Sequence, residues 1–223
     1  MNLGVNLLSW SPVVFLWTVF IVAAVSYSLE KTFKILNFRL GFKLLAISVL
    51  IFRFVYAIIE SVAQYYVWSR GDEIGKALIN SPLSDAVPLS NFLQNNFGAI
   101  LQSKWGYFLF YSWGRFWINV LLLSLVALCF YAILVILKKY NERFFKEGET
   151  YLGLLLCLIV GWPNLILFVP ITFVFVVLVS IFRLLYYKEP YTTLGMPMLL
   201  ASLVIMLFGG YLINTLGLAV LII

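Results

Sequence analysis

The chain has 223 residues, of which 64% are hydrophobic and 11% are charged, and its mean hydropathy is +1.04. Soluble domains carry about twice that charged fraction, so the composition excludes an ordinary soluble protein and predicts a polytopic, all-α membrane protein. The formal net charge of +6 resides in short segments between apolar runs, which is typical of topology determinants and not of a nucleic-acid interface. Histidine is absent from the sequence, which excludes Ser-His, Cys-His and His-metal chemistry. We therefore expect membrane lipids as partners, and no nucleic acid, metal or cofactor.

The predicted elements begin with two apolar spans, 10–28 and 42–59. The region 60–104 is more polar and is expected to form a loop on the far side of the membrane. Within it, apolar residues recur at helical spacing, and tryptophan and tyrosine flank the region. This pattern predicts an amphipathic helix that lies in the membrane interface. The apolar positions are Leu89, Leu93, Phe97, Ile100 and Leu101.

Four further apolar segments follow, 116–137, 151–161, 164–182 and 198–222. About 20 apolar residues are needed to cross the hydrocarbon core, so 151–161 is too short to cross comfortably alone. Pro163 closes it, because proline cannot continue a helix. We count it as a pass, which gives about six transmembrane segments, one of them short, in a single membrane domain, 1–223. Phe175, Phe182 and Met196 are interpreted as lipid-facing or packing residues.

The basic residues predict the orientation of the chain. In the six-segment arrangement, the cations that follow the first, third and fifth spans all fall on one side. Positive residues prefer the cytoplasmic side. We therefore expect the protein to lie in the cytoplasmic membrane with both termini on the extracytoplasmic side. The cations on the predicted cytoplasmic side are Lys31, Lys34, Arg39, Lys43, Lys138, Lys139, Arg143, Lys146, Arg183 and Lys188.

The region 117–210 contains an ordered set of features. A span leads to KEGETYLGLLLCLIVGWPN, in which Gly148-Glu149 opens a short helix that ends at a Gly-Trp-Pro break. Another span and a basic loop precede TTLGMPMLLASLVIMLFGG, where Gly195 and Pro197 open the last helix. In this order the features resemble the membrane core of type IV prepilin peptidases and preflagellin peptidases. These are intramembrane aspartyl proteases with a glycine-x-glycine-aspartate motif, and they cut leader peptides of pilin-like proteins at the cytoplasmic face.

The resemblance places Glu149 at the position of the motif aspartate and Gly148 at its second glycine. The second catalytic aspartate of the family corresponds to Ser28 or Leu29, with Glu30 beside it. The only aspartates in the sequence, Asp72 and Asp85, fall in the loop predicted on the opposite side, so the standard pair is absent. Aspartyl proteolysis needs two carboxylates that share a proton and hold a water. Two interpretations stay open: a degenerate acid pair of Glu149 and Glu30, or two solvated loop charges.

Arg53 lies inside the second predicted span, where arginine costs about 2.5–3.5 kcal/mol and should face protein or water. Glu60, two helical turns further on, is a candidate partner. A structural ion pair and a pocket for a substrate or a lipid head group are both compatible with this pattern.

Three functions remain for the whole protein. It could be a peptidase-like protein with a degenerate or inactive site, or a non-catalytic membrane assembly or binding subunit that engages pilin-like or other single-span proteins. The third is a small carrier with a pocket around Arg53.

Overall fold

The computed structural model describes residues 2–29, 38–84, 87–188 and 192–221. Every regular element in these ranges is helical, which confirms the predicted all-α class. The α-helices are α1 (Asn2–Leu29), α2 (Phe38–Arg70), α3 (Glu73–Ile79), α4 (Asn91–Leu101), α5 (Gly106–Ser112), α6 (Ile118–Tyr140), α7 (Glu149–Val160), α8 (Leu165–Tyr187) and α9 (Gly195–Thr215). A π-helical turn, Trp113–Trp117, joins α5 to α6 without a break.

Within the ranges that the structure describes, five helical stretches are long and apolar enough to cross a membrane. They are Trp10–Leu29, Gly41–Arg70, Gly106–Tyr140, Leu165–Tyr186 and Gly195–Thr215, and α7 is a sixth, shorter apolar helix. The chain is therefore treated as a membrane protein. Its internal contacts divide it into two compact units, one within Met1–Phe52 and Leu122–Ile222 and the other built on Arg53–Leu121.

Helix α7 lies at the centre of the first unit. Its apolar residues surround the whole helix, and such a helix is stable when neighbours cover it on every side. Ten of its twelve residues are buried, and it contacts α1, α8 and α9. Gly153 has no side chain where a Cβ would contact Leu134 of α6 and lie 3.2 Å from Met198 of α9. The absence of that Cβ lets three helices approach closely.

The ends of α7 fix its direction relative to its neighbours. Leu194, which precedes α9, donates its N–H to the carbonyl oxygen of Phe144, which precedes α7, at 3.1 Å. At the other end, a Cβ on Gly209 of α9 would lie 2.6 Å from Asn164 Oδ1 in the turn after α7. The two helices are therefore parallel. A 12-residue helix rises about 18 Å, so α7 needs this turn to reach the level of Gly209.

In the second unit, the predicted end of the second span is wrong. Helix α2 continues to Arg70, eleven residues beyond the predicted end at Ile59, so 60–70 is helix and not loop. Aromatic packing explains the extension, because Trp68 stacks on Tyr107 of α5 and also packs against Tyr111 in a tilted arrangement, with ring centroids 6.2 and 4.9 Å apart. The third predicted span also begins earlier, at Gly106 instead of Phe116.

The predicted amphipathic helix is present as α4. Ser90 caps its N-terminus, since its hydroxyl oxygen accepts the N–H of Leu93 at 3.4 Å. Two other helices extend beyond their predicted bounds. Helix α8 runs five residues past the predicted end at Phe182. Helix α9 begins at Gly195 and not at the predicted Met198, because proline is tolerated in the first helical turn, where Pro197 lies.

Candidate functional site around Glu149

The N-terminus of α7 depends on Gly148. This residue has φ 84°, in the left-handed region that glycine adopts at no steric cost. It lets the chain turn from the loop after α6 directly into the helix, so Glu149 becomes the first helical residue. A negative charge at this position is favoured by the helix dipole, whose positive end lies at the N-terminus.

Glu149 is 1% exposed, and among the described residues it is the one charged side chain that is fully buried. Both carboxylate oxygens accept hydrogen bonds. The hydroxyl of Tyr27, on α1, donates to Oε1 at 2.7 Å. The backbone N–H of Lys146 donates to Oε2 at 3.1 Å. A buried carboxylate requires such donors, because its desolvation would otherwise cost several kcal/mol.

Tyr27 reaches Glu149 through space left by Gly195. A Cβ on Gly195 would lie 2.5 Å from two ring carbons of Tyr27, and it would also contact the hydroxyl oxygen. The Tyr27 hydroxyl lies 3.4 Å from Oγ1 of Thr193, just before α9. One tyrosine therefore joins the end of α1, the start of α7 and the start of α9. Pro197 is buried one half-turn further along α9.

The interpretation of Glu149 as a solvated loop charge is wrong. Its neighbour Glu147 is exposed and does fit that description. The two acids of the Lys-Glu-Gly-Glu sequence thus have opposite environments, and they do so because the left-handed Gly148 reverses the chain between them. The motif-like order singled out Glu149, but the letters alone could not show that Glu149 is buried and Glu147 exposed.

The structure brings the end of α1 to Glu149, but through Tyr27. Ser28 and Leu29, the positions assigned to the second aspartate, are exposed, and the Ser28 hydroxyl donates to the carbonyl oxygen of Ala24 in its own helix at 2.9 Å. Glu30, proposed as the second acid, lies outside the described residues. Tyr27 was missed, although a tyrosine at the end of a span is a signal, since its polar tip needs a partner when the ring is buried.

The proposed polar site around Arg53 lies on α2. Arg53 is partly buried, as is Glu60. Glu60 has a side-chain hydrogen bond with Tyr56, one turn earlier, and an electrostatic interaction with Arg115 in the π-helical turn. The pairing of Glu60 with Arg53 stays a prediction. Arg115 is a partner that sequence spacing could not reveal, because it comes from another helix.

Next to Glu60, hydroxyl groups tie α2 to α5 and the π-helical turn. Ser112 donates to the hydroxyl oxygen of Ser61 at 2.8 Å, and the indole N–H of Trp117 donates to the same oxygen at 3.2 Å. Ser61 in turn donates to the carbonyl oxygen of Ala57 at 2.8 Å. These contacts hold α2 against α5 and the π-helical turn, and they account for the hydroxyl group of Ser61 inside the long second span.

The polar groups that meet at this site are the Glu149 carboxylate, the Tyr27 hydroxyl and the backbone N–H of Lys146. Within the ranges that the structure describes, His, Cys, Asp and Glu do not form a group of three or more that could hold a metal ion. A comparison with protein-family models, curated proteins and solved structures finds no match to this chain. The resemblance to prepilin peptidases therefore stays a prediction that rests on the residues quoted for it.

Proposed function

We propose that this protein is a non-catalytic membrane subunit with a prepilin-peptidase-like core, which engages pilin-like or other single-span proteins without cutting them. The proposal places it in the cytoplasmic membrane with both termini extracytoplasmic. The observation that carries it is the closed environment of Glu149. The acid at the position of the motif aspartate is buried and engaged through both oxygens.

Hydrolysis by this class of enzyme requires a water held between two carboxylates. Among the described residues, the side chain of α1 that reaches Glu149 is the phenol of Tyr27, whose hydroxyl donates a hydrogen bond to the carboxylate. A phenol in that role stabilises the charge of Glu149, but it does not supply the second carboxylate. The role of Glu149 is best explained as structural: its hydrogen bonds help to hold the ends of three helices together.

The proposed orientation is supported by the cations of the first unit. Lys43 lies near the start of α2, Lys138 and Lys139 close α6, and Arg183 lies near the end of α8. The contacts of Phe144 with Leu194 and of Tyr27 with Glu149 join the end of α1 and the segment after α6 to the starts of α7 and α9. A concentration of Lys and Arg at one end of a helical bundle favours the cytoplasmic side.

A reconstituted system tests this function. The purified protein is placed in vesicles with a single-span test protein that carries a short basic leader, and an active prepilin peptidase serves as the positive control. We expect the test protein to co-purify with the chain at full length, both with the wild type and with Glu149→Gln. The leader is expected to stay attached, as measured by mass spectrometry of the test protein.

Removal of the leader by the wild type, lost in Glu149→Gln but kept in Glu147→Gln, would show an active acid and overturn the non-catalytic assignment. Glu147→Gln is the matched control, because it makes the same change two residues away on an exposed side chain. Failure of the test protein to co-purify with the wild type would contradict the binding role.

A further inference from the structure

An apolar groove runs between α8 and α9 in the first unit. Its volume is about 490 Å³, and its apolar walls include Phe175, Leu178, Phe182, Met196 and Leu200. Both helices are apolar and long enough to cross a membrane, so the groove opens toward lipid. Water gains no hydrogen bonds from such walls, and apolar cavities of this kind accept apolar guests.

One end of the groove is charged. Arg183 is the single charged side chain among the described residues that line it, and it lies in the last turn of the span Leu165–Tyr186. Phe182 stacks on Tyr186 beside it, with ring centroids 4.6 Å apart. Arginine near a span end places its guanidinium at head-group level, and its five N–H donors can bind phosphate while keeping a protein neighbour.

The walls of the groove favour a flexible occupant. Membrane helices associate closely where small residues line the interface, whereas these walls are phenylalanine, leucine and methionine. Phe175 lies eight residues before Arg183 on α8, which is about 12 Å along the helix axis. A ligand that spans this distance must present an anion at one end and an apolar chain along the rest.

The geometry points to an anionic phospholipid bound between α8 and α9, with its phosphate at Arg183 and one acyl chain in the groove. The predicted cytoplasmic position of this end agrees with the occupant, because the cytoplasmic leaflet carries anionic lipids and basic pockets between spans there bind lipid head groups. This inference goes beyond the proposed function, since none of its residues takes part in the Glu149 site.

Native mass spectrometry of the purified protein tests the site with two lipids of the same acyl chains, phosphatidylglycerol and phosphatidylcholine. We expect the wild type to retain phosphatidylglycerol about fivefold better, because only phosphatidylglycerol carries a net negative charge that can pair with Arg183 in the groove. Arg183→Gln is expected to remove this preference and Arg183→Lys to keep it. Leu200→Trp, which fills the groove, is expected to reduce retention of both lipids.

Two matched controls distinguish a specific lipid site in the groove from general effects of charge or side-chain size. Lys139→Gln removes an exposed cation near the end of α6, and Leu207→Trp adds the same bulk to an exposed position of α9 outside the groove. Both are expected to behave as the wild type. Equal retention of the two lipids by the wild type, or a loss in Lys139→Gln as large as in Arg183→Gln, would overturn the proposal. So would a dimer that Leu200→Trp dissociates while lipid retention stays unchanged, because a second copy would then occupy the groove.

Discussion

Replacing Glu149 by leucine is expected to lower the free energy of unfolding by about 2–4 kcal/mol. Leucine fits the volume but accepts no hydrogen bond, so the Tyr27 hydroxyl and the Lys146 N–H both lose their partner. Each buried donor left unsatisfied costs about 1–3 kcal/mol, and Thr193 can recover part of the Tyr27 loss. Titration of the purified protein with SDS in mixed micelles, followed by circular dichroism, measures the change.

Glu147→Leu is the matched control for this experiment. Glu147 is exposed and belongs to the same loop, so its replacement is expected to change the free energy of unfolding by no more than about 0.5 kcal/mol. Equal effects of the two substitutions would mean that Glu149 is solvated like Glu147 and would contradict its burial.

Gly195→Ala is the second substitution with a large expected effect. The added methyl group would occupy the space of the Tyr27 ring, whose carbons lie 2.5 Å from that position. Overpacking of this kind costs about 1–3 kcal/mol, and here displacement of the ring would also remove a donor from Glu149. We expect a loss of about 3 kcal/mol in the same SDS titration.

Gly210→Ala in the same helix is the control, because no described atom outside the adjacent backbone of α9 lies within 4 Å of the Cβ it would add. It is expected to be neutral or slightly stabilising, since alanine is the better helix former. The Gly195 effect must also depend on the ring it displaces. In a Tyr27→Ala background, Gly195→Ala should cost less than in the wild type, and an undiminished cost would contradict the assigned clash.

Several elements followed from sequence patterns because those patterns report local physics. The helical spacing of apolar residues in 89–101 predicted α4, and the glycine and proline around 161–163 predicted the end of α7. The extension of α2 to Arg70 could not be predicted this way. It depends on aromatic stacking with α5, a tertiary contact that overrides the polar character of the sequence after Ile59.

The site was predictable only in part. Gly148 and Glu149 were selected by their motif-like order, and Gly195 by its place before the last helix. The structure supplies a physical reason for Gly195 that the motif does not, namely the room it leaves for Tyr27. Burial of Glu149 and the phenol that reaches it both arise from contacts between distant segments. Such contacts leave no periodic trace in a single sequence.

Tyr27, which is half-buried, and Glu149, which is buried, form a hydrogen-bonded pair that joins α1 to α7. A double-mutant cycle with Tyr27→Phe and Glu149→Leu measures that coupling directly by SDS unfolding. We predict that the double variant is more stable than the sum of the single losses implies, by about 1 kcal/mol or more. Each single substitution leaves the other member of the pair without its hydrogen bond, whereas the double variant removes both members, and the Lys146 N–H loses its partner equally in both Glu149→Leu variants. If the loss in the double variant equals the sum of the two single losses within about 0.3 kcal/mol, the pairing is contradicted. The role of Glu149 in joining the helices would then be contradicted as well.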